Sequence, residues 1–225
     1  MRLSVIVPTL DEAGALAPTL AAARQPGMHE LIVVDGGSRD ETVAVARRLA
    51  DHVLTAPRGR AAQMNAGAAV AEGDVFLFLH ADTGLPPGYP ALVAHGLEEA
   101  AVVGGRFDVR LDAPGFAYRF LGRAISARSR LTGVATGDQA IFVRRTVFAR
   151  LGGYPPLPLM EDVAFCRALK RTGRLACLRA TVVTSARRWE RHGLVRTVLL
   201  MWGLRAAYYA GVSPARLARV YADAR

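Results

Sequence analysis

Glu30-Leu31-Ile32-Val33-Val34-Asp35-Gly36-Gly37-Ser38-Arg39-Asp40 decides how the rest of the chain is read. Its unbroken apolar run suits a strand buried on both faces, as in a parallel sheet. Asp35 closes the run. Gly36 and Gly37 then allow positive φ and a close approach of a ligand to backbone. Ser38 is placed to cap a helix from about Asp40 to Ala50, with Asp40 and Glu41 in its first turn, where the macrodipole favours acids. The free N–H groups at such a helix start suit an anion. A dinucleotide fingerprint is absent: G-x-G-x-x-G is missing, and the aspartate precedes the glycines. A plain strand-to-helix turn would use the same residues, so this stretch alone sets fold class and not function.

Outward from it, strands and helices alternate. Leu3 to Val7 is a β-branched run stopped by Pro8, and Leu16 to Arg24 is helical in pattern. His52 to Thr55 is a short third strand, Ala61 to Ala71 an alanine-rich helix, and Val75 to Leu79 a fully apolar fourth strand. That alternation predicts an α/β fold with a parallel sheet and right-handed crossovers. The second half is more mixed. Helices are expected over Tyr89 to Ala100, Phe116 to Arg130 and Glu161 to Arg171. Strands are expected over Ala101 to Val109, Gln139 to Arg144 and Arg174 to Ser185. No linker separates the halves, which places the site at their seam.

Four acidic islands fall where such a sheet binds ligands. Asp11-Glu12, Asp35 and Asp82 each follow an apolar run, and Glu161-Asp162 opens a late helix. Open α/β sheets bind ligands outside the carboxyl ends of their strands. An exposed carboxylate in His80-Ala81-Asp82 suits a hard divalent cation carrying a diphosphate, although a turn or helix-capping role fits Asp82 as well. Glu161-Asp162 follows the Gly- and Pro-rich loop from Gly152 to Met160. Acids in a first helical turn are also simply stabilising.

The 225 residues suffice for one well-buried domain. Met1-Arg2 leads directly into a strand-like run, so no secretory leader is expected. Residues 1–105 carry 7 basic and 12 acidic side chains, a net of −5, and residues 106–225 carry 22 and 7, a net of +15. Such a basic half attracts phosphorylated ligands or anionic lipid. No stacking aromatics interleave the arginines, so no nucleic-acid role is expected. Of the 29 basic residues only Lys170 is lysine, which points to arginine-favouring codon usage. Cys166 and Cys177 lack metal-type spacing and are expected to be free thiols in a reduced cytoplasm.

In order and spacing the motifs resemble the family-2 inverting glycosyltransferases of the GT-A fold. The resemblance covers about residues 1–190. It rests on Val5-Ile6-Val7-Pro8-Thr9-Leu10-Asp11-Glu12, Val33 to Asp40, Gly59-Arg60-Ala61-Ala62-Gln63-Met64-Asn65-Ala66-Gly67, Phe78-Leu79-His80-Ala81-Asp82, Gly152-Gly153-Tyr154 and Glu161-Asp162. Arg187-Arg188-Trp189 looks like the end of the family's Q-x-x-R-W element, with Ser185 where the glutamine would be. The chain looks most similar to a small bacterial subgroup found beside radical-SAM enzymes and linked to arsenosugar-type products.

The resemblance implies a mainly parallel Rossmann-like sheet flanked by helices, and it implies roles. Pro8, Thr9, Glu12 and Asp35 would hold the nucleoside, with uridine as the base. Arg60, Ala81, Asp82, Arg188 and Trp189 would lie along the rest of the nucleotide sugar. Asp82, with His80 where the family has its first acid, would hold Mg2+ or Mn2+. Asp162 would be the general base, and Gly105 and Glu161 would lie on the acceptor side. Sugar and acceptor are not legible.

Residues 191–225 read as a C-terminal helical extension. Val195, Val198, Leu199, Trp202, Tyr209 and Val212 recur at broadly helical spacing, interrupted by Arg196 and Arg205, which makes a poor bilayer span. The expected amphipathic helix packs on the domain or a second subunit of a homodimer, or lies on anionic lipid at the inner face of the membrane. Two other functions fit parts of the pattern. A metal-dependent nucleotidyltransferase would want a basic, glycine-rich loop where Pro8 to Glu12 stands. A non-catalytic nucleotide-sugar binding module has no use for Glu161-Asp162.

Overall fold

The computed structural model describes residues 1–223. Eight strands form one sheet. They are β1 Leu3–Thr9, β2 Glu30–Asp35, β3 His52–Thr55, β4 Val75–Phe78, β5 Thr83–Gly84, β6 Val102–Leu111, β7 Ile141–Arg144 and β8 Arg174–Thr184. Their order is β3-β2-β1-β4-β7-β6-β8-β5. The first four in that order are mutually parallel, as the βα alternation predicts. β7 runs antiparallel to both β4 and β6, and β8 returns parallel to β6. The result is a mostly parallel sheet flanked by helices.

In β1, Leu3, Val5 and Val7 enter one core, and Ile6 enters the other. A strand covered on both faces needs apolar residues on both, and the one polar side chain between Leu3 and Val7, the buried Ser4, is satisfied by donating to Glu30 Oε1 at 2.6 Å. The first core takes Leu16 and Leu20 of α1 (Ala13–Ala23), Ala46 of α2 (Thr42–Leu49) and Tyr89 and Val93 of α4 (Tyr89–Gly96). The second takes Met64 of α3 (Arg60–Val70), Phe148 of α6 (Arg145–Leu151) and Phe165 of α7 (Glu161–Leu169). Pro8 does not stop β1: it pairs with Val34, and the strand runs on to Thr9. β4 follows β1 only as far as Ile6, so the missing N–H of Pro8 costs no ladder bond there.

The remaining helices are α5 Phe116–Thr132, α8 Arg187–His192, α9 Leu194–Tyr209 and α10 Pro214–Asp223. Leu204 and Leu217 join the second core, so α9 and α10 pack on the same domain as the sheet. The stripe expected on α9 is not the buried one. Val195, Leu199, Trp202 and Tyr209 are 67, 64, 64 and 51% exposed. Thr197 and Leu204 are buried instead, with Leu200, Met201, Ala207 and Tyr208 packed behind them. A helix apolar around most of its circumference does not declare which side is covered. Among the described residues no helix is long and apolar enough to cross a membrane.

Candidate active site

Two motif segments hold the strand ends together. Gln63 of α3 is buried and donates to the carbonyls of Thr9 and Val34, at 2.7 and 2.9 Å, tying the ends of β1 and β2. Gly67 lets α3 lie flat on the sheet, because a Cβ there would stand 2.5 Å from Ile6 Cγ2. Asn65 reaches the other way. Its Oδ1 accepts from the Tyr154 N–H at 2.9 Å and its Nδ2 donates to the Tyr154 carbonyl at 2.8 Å. The Tyr154 ring stacks on Phe165 at 4.2 Å and meets Phe78, at the end of β4, edge-on at 4.9 Å. The loop after Gly152-Gly153 is thereby anchored, and α7 opens with Glu161 and Asp162 at the carboxyl end of β4.

Asp162 is well partnered. Its Oδ2 accepts from the Gly137 N–H at 2.9 Å, and its Oδ1 accepts from the Val163 N–H at 2.7 Å. The helix start was expected to favour the anion. Burial dominates instead, and with the adjacent Glu161 charge it pushes the carboxyl up to about 6, against those two N–H bonds and Arg60. Glu161 is buried, with one carboxylate oxygen 3.7 Å from Arg60.

Asp82 faces the same cleft, paired with Arg187 at 3.3 Å; the same guanidinium holds Glu12 at 2.7 Å. Arg187 thus bridges two of the expected donor-side acids. His80 is kept neutral by burial and by the charges of Arg60 and Arg188. Its ring fills the space beside Gly137, where a Cβ would stand 2.2 Å from Nε2.

The cleft is open to solvent, with a cavity volume of about 210 Å³. It gathers Arg60, His80, Asp82, Glu161, Asp162, Arg188 and Trp189 from the expected set. Pro8, Thr9, Glu12, Asp35 and Ala81 do not line it. They stand at or just beyond the ends of β1, β2 and β4, with Glu12 joined to the cleft through Arg187. Asp35 is buried and accepts from the Gly37 and Ser38 N–H groups at 2.8 and 2.9 Å and from the Ser38 hydroxyl. Ser38 therefore does not cap α2; its Oγ also accepts the Asp11 N–H at 2.9 Å. Asp40 takes the place at the helix start, accepting from the Thr42 N–H at 3.0 Å and from the Thr42 hydroxyl. The Ala81 side chain is buried in the first core, which leaves its backbone for any ligand.

Gly105 is a correction. It lies inside β6, paired with Phe142 and Ala176, away from the cleft. A Cβ there would stand 2.3 Å from the Ala176 carbonyl oxygen and 2.5 Å from the Phe142 ring. Close packing of three strands accounts for glycine at that position.

Four charged cleft or bridging residues were given no site role by the sequence reading: Arg187, Arg128, Asp138 and Arg205. Asp138 stands just before β7. An antiparallel strand begins at the edge where its parallel neighbours end, so β7 delivers Asp138 beside Asp162. Only the direction of β7 would have revealed it. Burial raises the Asp138 carboxyl; a Thr136 hydroxyl bond opposes this, and the Asp162 charge adds to it. Asp138 Oδ1 is buried with no hydrogen-bond partner.

A doubly covered α/β sheet with carboxylates converging at its carboxyl edge is the arrangement in which open α/β folds bind ligands. Comparison with known proteins gives the family. Residues 4–152 match the glycosyl transferase family 2 model, so the chain belongs to that family. The matched residues include Asp35 and Asp82 and end before Asp162. A PGL/p-HBAD biosynthesis glycosyltransferase of Mycobacterium tuberculosis is 36% identical over 165 residues, covering 67% of this chain and 62% of that protein. The chain thus spans under two thirds of that relative's length. Among solved structures, the mannosyltransferase PcManGT of Pyrobaculum calidifontis, in complex with GDP-Man and Mn2+, superposes with TM-score 0.64 at 20% identity, covering 99% of this chain and 69% of that one. Staphylococcus aureus TarS 1-349 with UDP-GlcNAc gives TM-score 0.61 at 18% identity, covering 82% and 58%. These likenesses show the GT-A fold.

Proposed function

We propose that the protein transfers a sugar, with inversion, from a uridine diphosphate sugar to an acceptor hydroxyl. The observation that carries this is Asp162, half-buried at the carboxyl edge of the sheet, in the same cleft as Asp82, with its carboxyl raised to about 6. A base of that strength is about nine-tenths ionised at neutral pH and still takes a proton as a hydroxyl attacks. Asp162 accepts the acceptor proton while the acceptor oxygen bonds the anomeric carbon from the face opposite the diphosphate. The bond from that carbon to the diphosphate breaks, and its electron pair leaves with the nucleoside diphosphate. Arg60 and Arg188 supply positive charge beside the leaving group. Pro8, Thr9, Glu12 and Asp35 hold the nucleoside, and the free oxygen of Asp138 faces the acceptor.

The residues fit a divalent cation held mainly by its substrate. Among the described residues no three His, Cys, Asp or Glu side chains form a metal cage. Mg2+ sites commonly use one or two carboxylates with substrate phosphates and water. Asp82 meets that need once Arg187 yields it. We assign His80 to support of the Gly137 loop, because its ring is packed there. Bound Mg2+ or Mn2+ would neutralise charge on the diphosphate. TarS with UDP-GlcNAc and PcManGT with GDP-Man and Mn2+ support a nucleotide sugar and a metal of this kind. Placement in the radical-SAM-associated, arsenosugar-type subgroup, and in the cytoplasm at the inner face of the membrane, is part of the same proposal.

The test is a turnover screen of nucleotide sugars with Mn2+, with Mg2+ and with EDTA, reading nucleoside diphosphate release. Release from a uridine donor, lost in EDTA, is expected. Equal release with and without metal would remove the metal role of Asp82. A product that keeps the donor's anomeric configuration would remove inversion.

A further inference from the structure

We propose that α5 and α9 form a docking face for an anionic lipid bilayer around the mouth of the cleft. The purpose of that face, delivery of a membrane-borne acceptor, rests on the glycosyl-transfer reading above; its existence does not. On α5, Phe116 and Phe120 are 71 and 63% exposed, and their rings stack at 6.3 Å. On α9, Val195, Leu199 and Trp202 are exposed at i, i+4 and i+7, which puts them on one stripe. Single exposed apolar residues are ordinary, but grouped ones mark contact surfaces. Both helices also wall the cleft, α5 through Leu121 and Ile125, and α9 through Met201 and Trp202. The two helices that carry the stripes thus border one cleft, and Trp202 belongs to both stripe and wall.

Charge selects the occupant. Residues 113–137 contain four arginines and no acid, and residues 191–222 contain five arginines and no acid. Arg119 and Arg123 on α5, and Arg191 and Arg196 near the start of α9, are exposed among the apolar residues. A second copy of this chain would present the same positive charge and be repelled. An anionic headgroup layer attracts it. Aromatic rings settle at headgroup depth, and arginine stems lie along the acyl boundary with their charges in the headgroups. No described helix can cross a membrane, so the contact is peripheral.

Vesicle sedimentation of the full chain tests this. The protein should pellet with phosphatidylcholine–phosphatidylglycerol vesicles, and not with pure phosphatidylcholine. High salt should release it, since screening shortens the reach of surface charge. Phe116→Ser with Phe120→Ser should weaken vesicle binding about tenfold or more, with an unchanged circular dichroism spectrum. Arg119→Gln with Arg123→Gln, which leaves the apolar stripe intact, should also weaken it. No binding by the wild type, equal binding to both vesicle types, or full binding by both double variants would overturn the proposal. So would a wild-type dimer in light scattering that the Phe116/Phe120 variant dissolves, because the face would then belong to a second copy. If the face binds vesicles but no donor is ever turned over, the glycosyl-transfer reading fails and the docking face stands.

Discussion

At the scale of single residues, the proposed chemistry turns on Asp162 and Arg187. Asp162→Asn keeps the shape and removes the basicity, and loss of a general base costs ~10²–10⁴-fold in rate. Turnover should fall by that amount, while donor affinity, set on the Asp82 side, stays near wild type. The wild-type rate should be full above neutral pH and fall as pH drops through about 6, where Asp162 gains its proton. Stability moves the opposite way. The carboxyl is raised from 3.8 to about 6, so the native state holds a proton that the unfolded chain has released. Stability is therefore greatest below about 4 on this account and declines as pH rises through about 6. Denaturant titrations across that range on wild type and Asp162→Asn read it directly, and an identical pH trend in the variant would reject it. Arg187 is the competing cation at Asp82 and Glu12. Arg187→Ala should leave both carboxylates free and tighten Mn2+ binding in the absence of donor, on the order of tenfold for one removed charge at partly exposed groups. Calorimetry showing unchanged or weaker Mn2+ binding would mean that Arg187 does not compete for the metal position.

At the scale of elements, the motifs are mostly packing devices that carry the site. Gln63, Asn65 and Gly67 occupy one helix and bind three different parts of the fold. None lines the cleft, yet together they place Asp162 relative to β1 and β2. Gly105 serves the β6–β7–β8 contact in the same way. Gly105→Ala must displace backbone, and overpacking of this kind costs about 1–3 kcal/mol or more. The expected result is a clear drop in melting temperature, with donor and acceptor kinetics intact wherever the protein remains folded. A variant of full stability with a raised acceptor KM would restore Gly105 to the acceptor side. The strands of the first half were legible because βα alternation leaves few arrangements. β7 was legible as a strand but not as an antiparallel one, since nothing in Ile141–Arg144 states its direction. That missing sign hid Asp138. Arg187 was hidden differently: its partners are Glu12, 175 positions earlier, and Asp82, 105 positions earlier.

At the scale of the whole molecule, an acidic half and a basic half meet over one cleft. The net −5 of residues 1–105 includes Glu12 and Asp82, and the net +15 of residues 106–225 includes Arg187, which pairs with both. The sequence by itself determined the α/β class and the first four strands, because apolar periodicity is a local property, and its family resemblance implied the gathering of Arg60, Asp82, Glu161, Asp162, Arg188 and Trp189. Only the tertiary structure decided which way β7 runs, which face of α9 is covered, that Gly105 is packed between strands, and that Arg187 holds Asp82. It also decided the protonation of Asp162. A helix start favours the anion, but burial beside Glu161 outweighs it, and burial is a property of everything that packs around a residue and of nothing in its immediate sequence.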